Sequence, residues 1–386
     1  MRLGLVGTSM DWLSAAMTGP RYTPLADSLP STVPFVGPET QERQRGAPFA
    51  ARLGANESIF GPSPRAITAM QDAVHDVWMY GDPENHDLRV ALAAHHGVTP
   101  AHVVVGEGID GLLGTLVRLL IDPGDAVVTS QGAYPTFNFH VAGFGGVLNM
   151  VPYRDDHEDP TALFTKASEV GAKLVYMANP DNPMGSWYRG QQIVDALEAL
   201  PQGALLCLDE AYVECAPDGT AAPVLADDPR VIRMRTFSKG YGMAGLRVGY
   251  ALAAPELISA FNKVRNHFGV NRVAQAGALA ALKDAEWLRH VQVEIENAKT
   301  RIGEIAAAHG LKALPSATNF VAIDCGRDGA LAKAVLDGLI ARGIFVRMPF
   351  EAPQNRCIRV GCGPAEALDL FETALPDALA EAVSAL

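Results

Sequence analysis

The sequence predicts an α/β protein with a large, mostly parallel sheet domain and a smaller α+β domain. Two observations lead there. From about residue 64 to residue 252, short apolar runs of strand length alternate with helical stretches, the pattern of βαβ units whose sheet is covered on both faces. The chain has 386 residues, 48% of them hydrophobic and 19% charged, enough to bury a large core and divide into two or three domains.

Taken in order, residues 1–52 read as an N-terminal arm, rich in Pro and Gly, extended and without a core of its own. Residues 53–270 form the large domain, the first part also reaching the small one. Helices are expected at Pro64–Val77, Asp87–Gly97 and Gly111–Leu120, with strands at His102–Val105 and Ala126–Thr129. A strand at Lys173–Met177, a helix at Gly190–Leu200 and strands at Ala204–Leu208, Val231–Thr236 and Arg247–Leu252 follow. Residues 271–386 read as a helical connection, with Ala274–Leu282 strongly apolar, and a small C-terminal domain. That domain has strands near Asn319–Asp324, Ile344–Arg347 and Cys357–Val360 and a helix at Gly329–Arg342.

Bulk properties narrow the function. A net charge of −12 argues against a nucleic-acid binder, which usually presents a basic face. The five cysteines include no CxxC pair, which suits buried free thiols in a reducing compartment and so a cytoplasmic protein. No apolar run approaches the roughly 18 residues that span a bilayer. Met1–Met17 is mildly apolar, but Asp11 interrupts it and no clean cleavage site follows, against a signal peptide. His95, His96 and His102 have no acidic or Cys partners at metal-ligand spacing, so no metal is expected.

Gly106-Glu107-Gly108-Ile109-Asp110-Gly111 follows a strand and opens a helix, the setting of a phosphate-binding loop. A dinucleotide site also needs an acid after the next strand, and Ser130-Gln131-Gly132 supplies none. Phosphate without a dinucleotide is the better reading. Three more motifs fall at predicted strand ends, where open α/β sheets place ligands. They are Asn179-Pro180-Asp181-Asn182-Pro183-Met184-Gly185, Asp209-Glu210-Ala211-Tyr212 and Ser238-Lys239-Gly240. Lysine is scarce, and none precedes Lys166, so a lysine at a strand end draws notice.

These motifs, with Ala244-Gly245-Leu246-Arg247 after the lysine, resemble fold-type I pyridoxal-5'-phosphate (PLP) aminotransferases of class I/II. Leu53–Pro64, Tyr80-Gly81-Asp82-Pro83, Val346-Arg347 and Ile358–Gly361 resemble the histidinol-phosphate aminotransferase branch, and the similarity runs from about residue 25 to the C-terminus. The resemblance implies a seven-stranded, mostly parallel sheet, PLP as cofactor, and a cytoplasmic homodimer with shared active sites.

It also implies roles. Lys239 would carry the cofactor as a Schiff base and shuttle the substrate's α-proton; Asp209 would keep the pyridine nitrogen protonated. Asn182 and Tyr212 would bond the phenolate oxygen, and Tyr134 would stack on the ring. The phosphate would rest on the N–H groups of Gly108 and Ile109, closed in by Thr236, Ser238 and Arg247, with Tyr80 reaching the neighbouring subunit's phosphate. Arg359 would grip the substrate carboxylate with support from Asn56.

Ser58 and Ile59 stand where the branch usually has Asn-Pro, Ser58 at a substrate-phosphate contact, and His267 stands where Pro is common. Arg347 occupies the place of a second arginine. The pair suggests a donor with two anionic groups, one on Arg359 and one near Arg347, and His267 would favour an acidic or hydrogen-bonding side chain. The expected activity is amino transfer between such a donor (histidinol phosphate-like, aromatic or acidic) and a 2-oxo acid, 2-oxoglutarate above all. A PLP decarboxylase or lyase, of the phosphothreonine-decarboxylase type, is the alternative on the same scaffold.

Overall fold

The computed structural model describes residues 20–31, 36–223 and 226–385. The expectation about Met1–Met17 lies outside them. The unit ending at residue 32 contains, among the described residues, one short helix, Pro24–Ser28, whose cap Thr23 accepts from the Ala26 N–H through Oγ1 at 3.1 Å.

In the second unit, from residue 33 on, the strands are β1 (Ala51–Arg52), β2 (Val103–Gly106), β3 (Ala126–Ser130), β4 (Val147–Val151), β5 (Leu174–Ala178) and β6 (Leu205–Asp209). They continue with β7 (Val231–Thr236), β8 (Gly249–Leu252), β9 (Lys312–Ala313), β10 (Phe320–Asp324), β11 (Ile344–Phe345) and β12 (Cys357–Gly361). Seven form the large sheet in the order β2-β8-β7-β6-β5-β3-β4. The pairs from β4 through β7 are parallel, whereas β8 runs antiparallel to both β7 and β2.

Strand alternation builds a core on each face of this sheet. Leu174, Tyr176, Leu205 and Cys207 turn to one side, against helix Gly108–Leu120 and Phe137. Val175, Met177, Leu206 and Leu208 turn to the other, against Leu163 and Phe164 of helix Pro160–Val170. The helices start where capping residues dictate: Ser63 before Pro64 accepts from the Ala66 N–H at 3.0 Å, and Asp159 before Pro160 accepts from that of Ala162 at 3.1 Å.

A second core lies around the antiparallel sheet β12-β10-β9, covered by the long helix Ala285–Ala308 and by helix Ala365–Ala385. β1 belongs with this region, because it pairs in parallel with β11.

The structure departs from the sequence reading in identifiable places. The expected extended arm contains a helix, Pro38–Arg45, ended by Gly46 at φ 73° and tied to β1 through Glu42 and Arg52. β4 was not anticipated, being a half-exposed edge strand with Asn149 in its middle. Helix Pro135–Gly143 is aromatic and β-branched with no polar face, so its periodicity carries no signal. Helix Ala365–Ala385 was also missed, although Leu368, Phe371, Leu375, Ala378 and Ala382 recur at helical spacing. Among the described residues no helix is long and apolar enough to cross a membrane, and no cluster of three or more His, Cys, Asp or Glu is placed to hold a metal. All five cysteines are buried and free.

Candidate active site

A cavity of about 660 Å³ opens beyond the C-terminal ends of β5, β6 and β7. Each strand end delivers polar groups to it.

β6 ends on Asp209, almost fully buried. Its Oδ1 accepts from the Ala211 N–H at 2.9 Å and its Oδ2 from the Tyr176 hydroxyl at 2.7 Å. Burial pushes its pKa up to about 6, against the pull of those two donors and of Lys239. Lys239 follows β7 by three residues. Its Nζ donates to the Asn56 carbonyl at 2.9 Å and lies 5.3 Å from the centre of the Tyr212 ring. Burial, with the neighbouring Arg359 charge next, brings it down to about 8. Asn56 reaches this position in a left-handed conformation, φ 55°, from the loop after β1.

Tyr212 is the hub between them. Its hydroxyl accepts from Asn56 Nδ2 at 2.9 Å and Asn182 Nδ2 at 3.4 Å, and its ring meets Phe320 edge-on at 5.5 Å. Asn182 Oδ1 in turn accepts from Arg359 Nη1 at 2.5 Å. Arg359 lies over Phe320, its Nε has no partner, and burial lowers its pKa to about 10. An isolated antiparallel bridge pairs Arg347, just past β11, with Arg359 of β12, and both side chains line the cavity. Arg347 Nη2 donates to the Val36 carbonyl at 2.6 Å, while Glu351 accepts from Gln131.

At the other end, helix Gly108–Leu120 presents its N-terminus. Gly108 has φ +77°, and a Cβ there would sit 2.7 Å from Arg247 Nη2. Arg247 donates to Ser238 Oγ at 3.4 Å, and the Ser238 N–H donates to Thr236 Oγ1 at 3.1 Å. Ile109, Thr236 and Ser238 line this end, and Tyr134 lines the wall from the start of helix Pro135–Gly143.

Two residues expected at the substrate, His267 and Ser58, do not line the cavity, and Tyr80, expected at a neighbouring subunit's site, does not line this chain's own. His267 is exposed and does not line the cavity, because the turn after helix Pro255–Phe261 carries it to the surface. Ser58 is buried outside the cavity with an unpartnered hydroxyl, and Ile59 is 41% exposed. Tyr80 is 79% exposed, against Phe268 at 4.9 Å, and is no part of this chain's own cavity. Sequence reasoning missed Tyr176, the partner of Asp209, and the apolar wall of Phe139, Met348 and Phe350.

An open α/β sheet with a lysine, a buried carboxylate and an anion cradle at its strand ends defines a class of enzyme, and the sequence agrees. Residues 51–375 match the family aminotransferase class I and II, and the chain belongs to it. It is similar to a histidinol-phosphate aminotransferase of Sinorhizobium meliloti solved in complex with pyridoxal-5'-phosphate, at 53% identity and a TM-score of 0.91, covering 96% of this chain and 99% of that one. Histidinol-phosphate aminotransferase 2 of Carboxydothermus hydrogenoformans is 36% identical, over 87% of this chain and 93% of its own length. That of Anaeromyxobacter sp. is 37% identical over 85% and 90%.

The residues fit PLP on the structure's own terms. Gly108 leaves a space beside Arg247 that any side chain would fill, an acid and an amine sit at separate points of one cavity, and Arg359 keeps an unused donor.

Proposed function

We propose that this protein is a PLP-dependent aminotransferase that moves an amino group between a donor bearing two negative charges, histidinol phosphate or glutamate, and a 2-oxo acid, with 2-oxoglutarate as the acceptor when histidinol phosphate is the donor. The observation that carries this is the convergence of Lys239, Asp209 and Arg359, from three separate elements, on one cavity. When bound, PLP supplies an electron-accepting ring conjugated to the substrate's α-carbon.

The chain's own residues do the rest. Lys239 holds the cofactor and, once the donor displaces it, moves the proton at the α-carbon; a pKa near 8 leaves part of it neutral for that work. Asp209 holds a proton at the ring nitrogen. Tyr212 accepts two amide bonds, which leaves its own proton free to donate, with Asn182, to the ring's phenolic oxygen. Gly108 and Ile109 N–H groups, Thr236, Ser238 and Arg247 hold the phosphate, while Tyr134 covers the ring face.

Arg359, supported by Asn56 across Tyr212 and Asn182, orients the donor's anion. Histidinol phosphate has no carboxylate. Its phosphate ester carries both charges and suits two adjacent arginines, as do the two carboxylates of glutamate.

Two experiments test this. Donor presented alone should leave its amino group on the cofactor, read as pyridoxamine phosphate; recovery of PLP with carbon dioxide would make the enzyme a decarboxylase instead. After borohydride reduction, mass spectrometry should find the pyridoxyl group on Lys239 and none on the Lys239→Ala chain. A label at another lysine overturns the assignment.

A further inference from the structure

Tyr176 lines the cavity and holds Asp209, and the sheet register fixes where its hydroxyl lies. β5 and β6 pair in parallel with Tyr176 opposite Cys207 and Ala178 opposite Asp209. Tyr176 and Asp209 therefore point to the same face, one pleat apart, and the phenol reaches diagonally along the sheet. The ring is fully buried and stacked on Phe137, with centroids 4.5 Å apart and planes at 16°. The hydroxyl donates to Asp209 Oδ2, at 2.7 Å.

The two oxygens of Asp209 are thus held by one donor each, the Ala211 N–H on Oδ1 and Tyr176 on Oδ2. Burial and the carboxylate's charge push the Tyr176 pKa well above its ordinary value, so the hydroxyl stays a donor. A carboxylate that accepts a short hydrogen bond loses basicity, because part of its charge is already matched.

We propose that Tyr176 is a positioning residue whose hydrogen bond weakens Asp209 as a base, so that the proton between Asp209 and the cofactor's pyridine nitrogen rests on the nitrogen. This rests on the reading of Asp209 as the acid facing that nitrogen. Removal of the hydroxyl makes Asp209 the stronger competitor for the proton, and the ring a poorer electron acceptor. A merely structural tyrosine would leave the proton where it is.

The holoenzyme, reconstituted with PLP labelled with nitrogen-15 in the ring, tests both layers by NMR. Asp209→Asn, which removes the carboxylate charge, is the reference and should move the resonance to the unprotonated range. Tyr176→Phe keeps the ring on Phe137 and deletes one oxygen. It should move the resonance part of the way in the same direction and lower kcat roughly tenfold, the lower range for a hydrogen bond to a charged group. Phe137→Leu, which loosens the packing but keeps the hydroxyl, should lower Tm and leave the resonance in place.

A resonance moved by Asp209→Asn but not by Tyr176→Phe overturns the role of Tyr176 and leaves that of Asp209 standing. One unmoved by Asp209→Asn overturns both. A displacement by Phe137→Leu as large as that of Tyr176→Phe would assign the effect to packing and sink the proposal.

Discussion

Single side chains in this site are governed by the contest between burial and charge. Glu214 shows it: Arg235 Nη1 lies 3.6 Å from its carboxylate, yet burial outweighs that attraction and pushes its pKa up to about 7. The folded protein therefore binds a proton that the unfolded chain releases near pH 4.5, and stability falls as pH rises from that value through 7. Glu214→Gln should leave Tm unchanged at pH 4 and raise stability at pH 8, by on the order of 1–3 kcal/mol; equal Tm values at pH 8 refute it. Arg347 is the specificity test. Arg347→Met should cost dianionic donors about 1.5–3 kcal/mol in kcat/KM and phenylalanine little; equal losses would leave Arg347 a support for the fold. At this scale the sequence was informative where a motif fixes both residue and neighbour, as at Lys239, Asp209 and Arg359. It does not fix where His267 and Ser58 point, since a turn decides the direction of each side chain and neither lines the cavity, and it was silent on Tyr176, whose contact with Asp209 needs the β5–β6 register.

Strands and helices deliver these groups because their ends are fixed. β6 and β7 are tied behind the site by Glu210, which receives Arg233 at 2.8 Å and Arg235 at 2.9 Å, all three buried. The helix at Gly108 is fixed by close approach instead. Gly108→Ala adds a left-handed strain of roughly 1–2 kcal/mol and drives a methyl into Arg247. Titration of the cofactor-free protein should therefore show PLP affinity reduced at least about tenfold, with a small loss of Tm; unchanged affinity would remove Gly108 from the cradle. Most strands were legible, often displaced by one residue: the expected Ala204–Leu208 is Leu205–Asp209, which brings the acid into the strand itself. The antiparallel β8 was not legible, because strand direction depends on pairing and not on hydrophobic pattern.

The whole molecule carries a surface that one chain leaves uncovered. Val77, Trp78, Tyr80 and Phe268 are 58%, 80%, 79% and 53% exposed. We propose that a second copy covers this surface, as in the homodimer that the resemblance implies. Trp78→Glu should yield monomers in analytical ultracentrifugation with weakened PLP binding, and an unchanged sedimentation coefficient would refute that placement. The pairing of β1 with β11 has a consequence in time. A chain made from its N-terminus folds in that order, and residues 108–247 hold the cofactor cradle, the lysine and the acid. Asn56 lies just past β1, which pairs with β11, and Arg347 and Arg359 lie beyond β11. During synthesis the residues of the reactive end therefore emerge before β11 and the two arginines that would select the donor. A chain cut short before residue 344 would lack Arg347, Arg359 and the strand that β1 pairs with, and so the means to choose an amine.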